Sequence, residues 1–112
     1  TEFLESMAEA CKAVVDYMKE ENLLYINVAN KLSIDCDCNA HPKDPEMDDI
    51  GIYASTDAVA LDQCCYEAII NSNDKGKTSL VNRMKEKNAI HVVEEAYLLG
   101  LGTREYEIIS ID

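Results

Sequence analysis

The sequence predicts a small layered domain of the α/β or α+β class, with about three strands covered by about four helices. Three observations lead to this prediction. Apolar residues recur at steps of three and four along residues 2–21, as on the buried face of a helix. Runs rich in β-preferring residues occupy 23–28, 50–54 and 106–111. Residues 58–71 are apolar around most of the helical circumference, which is typical of a buried helix.

The first helix is predicted over residues 2–21, and Asn22 is expected to end it. Its apolar stripe consists of Phe3, Leu4, Met7, Ala8, Cys11, Val14, Val15 and Met18. The run LLYINV, residues 23–28, follows directly. Because it is short and mostly apolar, it is predicted to be a buried strand.

An acidic loop over residues 35–49 separates this strand from the next one, IGIYA, at residues 50–54. The two prolines that break regular structure in the loop are Pro42 and Pro45. Thr56 or Asp57 then provides the N-cap of a helix over residues 58–71, since both side chains can accept a hydrogen bond from the first helical turn.

The last third of the chain predicts two more helices and a strand. A turn at residues 73–76 leads into a helix over 78–87 and another over 90–99, which Gly100 ends in a left-handed conformation. The run YEIISI, residues 106–111, is predicted to be the final strand. The return from helices to a strand favours at least one parallel strand pairing.

The composition excludes several function classes. The chain has 10 Lys and Arg against 22 Asp and Glu, a formal charge of −12, so it lacks the basic stripe that neutralises phosphates in nucleic-acid binders. The same charge disfavours anionic lipid surfaces, and no apolar run has the length of a membrane-spanning helix. We therefore expect neither nucleic acid nor a membrane as a partner.

The cysteines indicate a reducing compartment. There are five of them, an odd number, and two lie side by side while two others are one residue apart, unlike a secreted disulfide framework. They are Cys11, Cys36, Cys38, Cys64 and Cys65. We predict a cytoplasmic protein. Residues 1–112 are expected to form one domain because no linker or repeat divides them, and the start at Thr1 without an initiator Met leads us to expect a piece of a longer protein.

The densest chemistry lies in the acidic loop, where Cys36, Cys38 and His41 fall within six residues. Thiolates and imidazole are the usual ligands of zinc, and thiolates also bind iron. We therefore predict a zinc or iron site at these three residues. Their spacing is unlike the C-x2-C of zinc knuckles and clusters, and a fourth ligand must come from elsewhere. The candidates are Asp37, Asp44, Cys64, Cys65 and a partner chain.

Two alternatives remain open at these residues. Asp35, Asp37, Asn39 and Glu46 match positions 1, 3, 5 and 12 of a calcium-binding EF-hand, although Ala40 stands where the glycine is required. The other alternative is a polar loop with incidental thiols.

The remaining cysteines favour packing roles. Cys11 lies on the apolar stripe of the first helix, and Cys64 and Cys65 lie on the apolar helix predicted over residues 58–71, where thiols behave as small apolar groups. His91 begins the last helix, and a Cys65–His91 pair remains open.

Four stretches resemble the C-terminal segment of the domain-of-unknown-function family 362. They are FLESMAEACKAVVDYM, LLYINVANKLSIDCDC, DDIGIYASTDAVALDQCC and GLGTREYEIISID, and they occur in the family's order. One departure is Ala58, where family members commonly have proline.

The resemblance implies a larger iron–sulfur protein of unknown reaction. Members of the family often carry a ferredoxin-like insert with two iron–sulfur clusters before this segment, so the rest of the parent chain, including that ferredoxin-like segment, is the implied partner. The cluster-binding cysteine run is absent from these 112 residues. Iron–sulfur clusters are therefore expected only in the missing part of the parent.

Three functional hypotheses follow. The first is a domain of a cytoplasmic redox protein that contributes Cys36, Cys38 and His41 to a metal or redox site. The second is a non-catalytic packing or interaction module with an acidic surface. The third is a stand-alone thiol enzyme, which requires a thiolate of lowered pKa. No residue pattern identifies a catalytic group, a reaction or an oligomeric state.

Overall fold

The computed structural model describes residues 1–35 and 38–111 of the chain. In chain order the elements are α1 (Glu2–Met18), β1 (Tyr25–Ala29), β2 (Gly51–Ser55), α2 (Ala58–Ile70), α3 (Thr78–Glu86) and α4 (His91–Leu98). Short 3-10 helices at Glu20–Asn22 and Lys75–Lys77 follow α1 and precede α3. The protein is therefore of the α+β class, which is one of the two classes that the sequence predicted.

The strands form an antiparallel pair, in which Ile26 lies opposite Ala54 and Val28 opposite Ile52. The expectation of a parallel pairing is wrong for this sheet. The chain reverses between β1 and β2 in a loop and not through a helical crossover, which parallel strands require. Residues alternate between the two faces, so Tyr25 and Asn27 lie on the less exposed face of β1.

The predicted strand at residues 106–111 does not form. Residues 105–111 belong to no strand, and within the described part of the chain the sheet has two strands, not three. β-preferring side chains alone do not make a strand, because the backbone must also find a neighbouring strand to pair with.

Side-chain contacts with α2 hold this terminal segment instead. Tyr106 donates a hydrogen bond to the Glu67 carboxylate, and Arg104 Nε donates to Gln63 Oε1 at 2.9 Å. Gln63 in turn donates to Glu67 Oε1 at 2.6 Å. The bonds from Tyr106 and Gln63 lower the pKa of Glu67, since they favour its charged form.

Replacing Tyr106 with phenylalanine is expected to lower the free energy of unfolding by about 1 kcal/mol or less at neutral pH, because solvent screens this partly exposed pair. A carboxylate of lowered pKa stabilises the fold above its ordinary pKa of about 4.3, and this contribution is lost as the pH falls through the folded-state value. The loss of unfolding free energy caused by Tyr106→Phe should therefore be smaller at pH 3 than at pH 7. Urea unfolding at both pH values measures it, with Tyr17→Phe as the exposed control. An equal deficit at both pH values would contradict the assignment.

The core lies around α2, which packs against both strands on one side and against α4 on another, while α1 packs on α4. The prediction of a buried helix is confirmed here: Val59, Ala60, Leu61 and Cys64 are all buried. The sequence predicted Thr56 or Asp57 as the N-cap of α2, and the structure has Asp57 there. Its Oδ1 accepts a hydrogen bond from the Ala60 N–H at 3.0 Å.

The last helix ends as predicted. Gly100 has a φ of 81°, the left-handed conformation that glycine adopts without steric cost. The N–H of Gly100 bonds the Tyr97 carbonyl at 3.0 Å, and the N–H of Leu101 bonds the Ala96 carbonyl at 3.1 Å. These two bonds form a Schellman motif.

The first helix is both shorter and more exposed than predicted. It ends at Met18 and not at residue 21, because Lys19 adopts a φ of 72° and the Asn22 side-chain amide donates to the Met18 carbonyl at 2.9 Å. Ala8 is its one buried residue, while Phe3 is 74% exposed. The amphipathic pattern predicted the helix correctly, but not what covers its apolar stripe.

Candidate metal centres

Hydrogen bonds join the two ends of the predicted Cys/His loop (residues 35–43), and we call this joined pair of ends its closed base. The Lys43 N–H donates to Asp35 Oδ2 at 2.9 Å, and the Ser33 hydroxyl donates to the Lys43 carbonyl at 3.2 Å. Ser33 Oγ also accepts from the Asp35 N–H at 3.2 Å. Asp35 and Lys43, the two ends of the loop, are thus held together.

Two of the three predicted metal ligands lie on one exposed turn of this loop. Cys38 and His41 are both exposed, and the His41 N–H donates to Asn39 Oδ1 at 2.9 Å. This bond forms an Asx turn, which reverses the chain between the two residues. Cys36, the third predicted ligand, lies outside the described residues. The metal site therefore stays a prediction.

The loop is attached to the rest of the fold at both ends. The Lys31 N–H donates to Asp49 Oδ1 at 2.7 Å, next to the sheet. Arg83 of α3 donates to the Ile34 carbonyl at 3.3 Å. On the return path Met47 is 5% exposed and belongs to the core. The flanks of the loop are consequently fixed to the rest of the fold.

The calcium-binding EF-hand, one of the alternatives at these residues, requires a helix on each side of the loop. β1 precedes the loop and β2 follows it, so the helix–loop–helix of an EF-hand is not formed. Two of the proposed oxygen ligands, on Asp35 and Asn39, already accept backbone hydrogen bonds.

A second cluster of ligating side chains joins α1 to α4. One ligand atom each from Glu5, His91 and Glu95 lies within 4.8 Å of the others. The distance from His91 Nε2 to Glu5 Oε2 is 3.6 Å, and Glu94 Oε1 lies 3.7 Å from Nδ1 on the other side of the ring. The packing of α1 on α4 brings these groups together.

The imidazole of this cluster has an unsatisfied nitrogen. His91 Nε2 is buried and has no hydrogen-bond partner among the residues that the structure describes. The side chain as a whole is 24% exposed and that of Glu5 is 36% exposed. Solvent can therefore reach the cluster from one side.

Sequence reasoning missed this cluster for a definable reason. His91 and Glu95 are four residues apart on one helix, a spacing that puts both side chains on the same face and was readable from the sequence. Glu5 is 86 positions before His91 (91 − 5), so only the fold brings it to that face.

The other cysteines of the described chain do not have the properties of nucleophiles. Burial raises the pKa of the Cys11, Cys64 and Cys65 thiols, and for Cys11 and Cys65 the charge of Asp62 raises it further. Neutral thiols are poor nucleophiles. Asp62 is itself bonded by the Asn27 side-chain amide at 2.8 Å, so this acidic residue of α2 has a structural partner.

Fold and sites together define an α+β protein with a thiol- and imidazole-bearing loop and a separate imidazole–carboxylate cluster. The family model described as Domain of unknown function (DUF362) matches residues 1–67. The match covers more than half of the chain, and the chain therefore belongs to this family. It contains the Cys/His loop and Glu5 but ends before His91 and Glu95.

Comparison with curated proteins and with solved structures finds no match for this chain. Among the described residues, no helix is both long enough and apolar enough to cross a membrane.

Proposed function

We propose that this chain is a metal-binding module of a cytoplasmic redox protein of the DUF362 family, and that Cys36, Cys38 and His41 hold a zinc or iron ion. The observation that carries the proposal is the closed base of the Cys/His loop. Because the Lys43 N–H donates to the Asp35 carboxylate, the two ends of the loop are already held together. Less chain entropy is then lost when the side chains gather around one ion.

The donor set supports zinc or iron over harder cations. Thiolate and imidazole ligands suit zinc and iron, whereas magnesium and calcium prefer oxygen ligands. The exposure of Cys38 and His41 leaves an entry path and room for a water or a fourth ligand. Bound there, the ion would act as a Lewis acid if it is zinc or as an electron carrier if it is iron.

The residues of this chain do not fit an iron–sulfur cluster. The C-x2-C-x2-C run is absent, and Cys64 is buried in the core on α2. Ferredoxin-type clusters remain a proposal for the rest of a longer parent chain, which would be the partner of this module.

A second candidate function is a non-catalytic packing module, and the sheet favours it. The outer face of the sheet consists of Ile26, Val28 and Ile52, which are 59%, 59% and 67% exposed. A sheet that is apolar on its outer face is typical of one covered by further structure. The proposed cover is the remainder of the parent chain.

Removing both loop thiols separates the two candidates. Cys36→Ser/Cys38→Ser is expected to lower the zinc or iron content of anaerobically purified protein by about one ion per chain, measured by elemental analysis, while circular dichroism stays unchanged. The matched control is Cys11→Ser, which removes a thiol of α1 that is not among the candidate ligands.

Cobalt substitution identifies the ligands directly. Thiolate-to-cobalt charge transfer gives an absorption band that oxygen and nitrogen ligands do not produce, so the band should appear in the wild type and in the control but not in Cys36→Ser/Cys38→Ser. A band that survives in that variant, or no metal in the wild type, would contradict the metal proposal and favour the packing module.

A further inference from the structure

We propose that Glu5, His91 and Glu95 form a second divalent-cation site, independent of the Cys/His loop, in which one ion links α1 to α4. The ion that this site would bind is a first-row transition-metal cation of the zinc type. The three donor atoms come from two helices, and all lie within 4.8 Å of one another. Zinc binds nitrogen and carboxylate ligands at about 2.0–2.2 Å, so small side-chain rotations would bring these three atoms around one ion.

The spacing on α4 is that of a helical chelate. Residues four apart lie one turn above each other on the same face, so His91 and Glu95 point to one place. Glu5 is in the second turn of α1, which packs against α4. Two ligands from one helix and a third from its neighbour give three protein ligands and leave coordination positions for solvent.

The unsatisfied nitrogen of His91 is the independent observation that points to a ligand. Nε2 is buried and finds no hydrogen-bond partner in residues 1–35 and 38–111, and the nearest carboxylate oxygen of Glu5, at 3.6 Å, is too far for a hydrogen bond. A buried polar atom without a partner costs free energy. A cation between Nε2 and Glu5 would satisfy both atoms at once.

Glu94 completes the environment of the ring. Its Oε1 lies 3.7 Å from Nδ1, opposite the proposed ion. Histidine ligands of metals usually direct their second ring nitrogen towards a carboxylate, which fixes the tautomer and makes the coordinating nitrogen more basic. Glu94 is therefore assigned as a positioning residue for His91 and not as a ligand.

The local charge favours a cation of this kind. Glu5, Glu94 and Glu95 surround one imidazole in a chain of net charge −12, and a divalent ion offsets the repulsion among these carboxylates. One nitrogen and two oxygen ligands suit zinc, manganese and iron(II). Calcium and magnesium are disfavoured because they select oxygen ligands only.

An ion at this place would act on a helix that is mostly exposed. α1 buries Ala8 alone, and its contact with α4 is its main attachment. A ligand that binds only the folded arrangement stabilises it by mass action. Zinc should therefore raise the thermal midpoint and slow amide hydrogen exchange in α1.

The test is a zinc titration by calorimetry in the Cys36→Ser/Cys38→Ser background, which removes the loop thiols. One zinc ion is expected to bind, and Glu5→Gln and Glu95→Gln should each weaken it at least tenfold. Glu9→Gln, an exposed charge one turn further along α1, is the matched control and should leave the affinity unchanged. Circular dichroism checks that each variant folds.

A second readout distinguishes coordination from general attraction of cations by an acidic protein. Zinc should shift the nitrogen resonance of His91 Nε2 strongly and leave His41 unaffected. The proposal is overturned if zinc leaves the His91 resonances in place, or if the Glu5→Gln and Glu95→Gln variants bind zinc as tightly as Glu9→Gln. Either result is independent of the outcome at the Cys/His loop.

Discussion

Gly76→Ala is expected to lower the free energy of unfolding by about 1–3 kcal/mol, the usual cost of forcing extra volume into a packed site. A Cβ at this position would overlap the carbonyl oxygen of Glu46, would lie 2.8 Å from the carbonyl carbon and would approach Met47 Cα to 3.0 Å. These are backbone atoms, so no side-chain rotation relieves the overlap. One of the two segments must move.

The movement would disturb two further interactions. Asp74 accepts hydrogen bonds from the Asp48 N–H at 2.7 Å and from the Gly76 N–H at 2.8 Å, and this pair of bonds fastens the end of the acidic loop to the start of α3. Met47 directly precedes Asp48 in the sequence and is buried. A shift of Gly76 would therefore displace the buried Met47 as well as the Asp74 carboxylate.

Chemical denaturation monitored by circular dichroism measures the effect. Asn73→Ala, an exposed position in the same turn, is the control and should change the free energy of unfolding by less than about 0.5 kcal/mol. If Gly76→Ala and Asn73→Ala were equally stable, the close approach of residues 46–47 to Gly76 would be wrong.

The sequence predicted the helices well because their signals are local. Periodicity, an Asp57 N-cap and a Gly100 C-cap each depend on residues within one or two turns, and the structure has α2 and α4 within one residue of their predicted bounds. The end of α1 was predicted less well, because the left-handed conformation of Lys19 has no sequence signal comparable to a glycine.

The pairing of strands and the meeting of side chains from different helices could not be predicted, since both depend on distant parts of the chain. Residues 106–111 have the composition of a strand, yet Tyr106 is bonded to a side chain of α2. His91 and Glu95 share a helix face, but nothing local indicates that Glu5 lies across from them. The Cys/His loop is the opposite case, because its ligand types lie within six residues and can be read directly from the sequence.

The two candidate metal centres differ in what they would do to the fold. The Cys/His loop lies beyond a base that hydrogen bonds already close, so loss of its ion should leave the core unchanged. The cluster of Glu5, His91 and Glu95 links two helices, so loss of its ion should loosen α1. Thermal unfolding with and without a chelator, in the two sets of variants, separates these effects.

Asp57→Ala is expected to lower the free energy of unfolding by about 2 kcal/mol, because one carboxylate holds two separate segments. Oδ1 caps α2 at the Ala60 N–H, and removal of such a cap costs about 0.5–2 kcal/mol. Oδ2 accepts from the Thr103 N–H at 2.9 Å and thereby fixes the chain after α4. The variant leaves both N–H groups without this partner.

Gly102→Ala should act through the same carboxylate. A Cβ at Gly102 would overlap Asp57 Oδ1 and lie 2.6 Å from Cγ, and the side chain of Asp57 can relieve this only by leaving its cap position. We therefore expect Gly102→Ala to cost about 1–2 kcal/mol alone, the value of the lost cap, and much less in the Asp57→Ala background. Urea unfolding of the two single variants and the double variant forms the cycle. Strict additivity would show that Gly102 is required for the backbone of its own turn and not for the cap of α2.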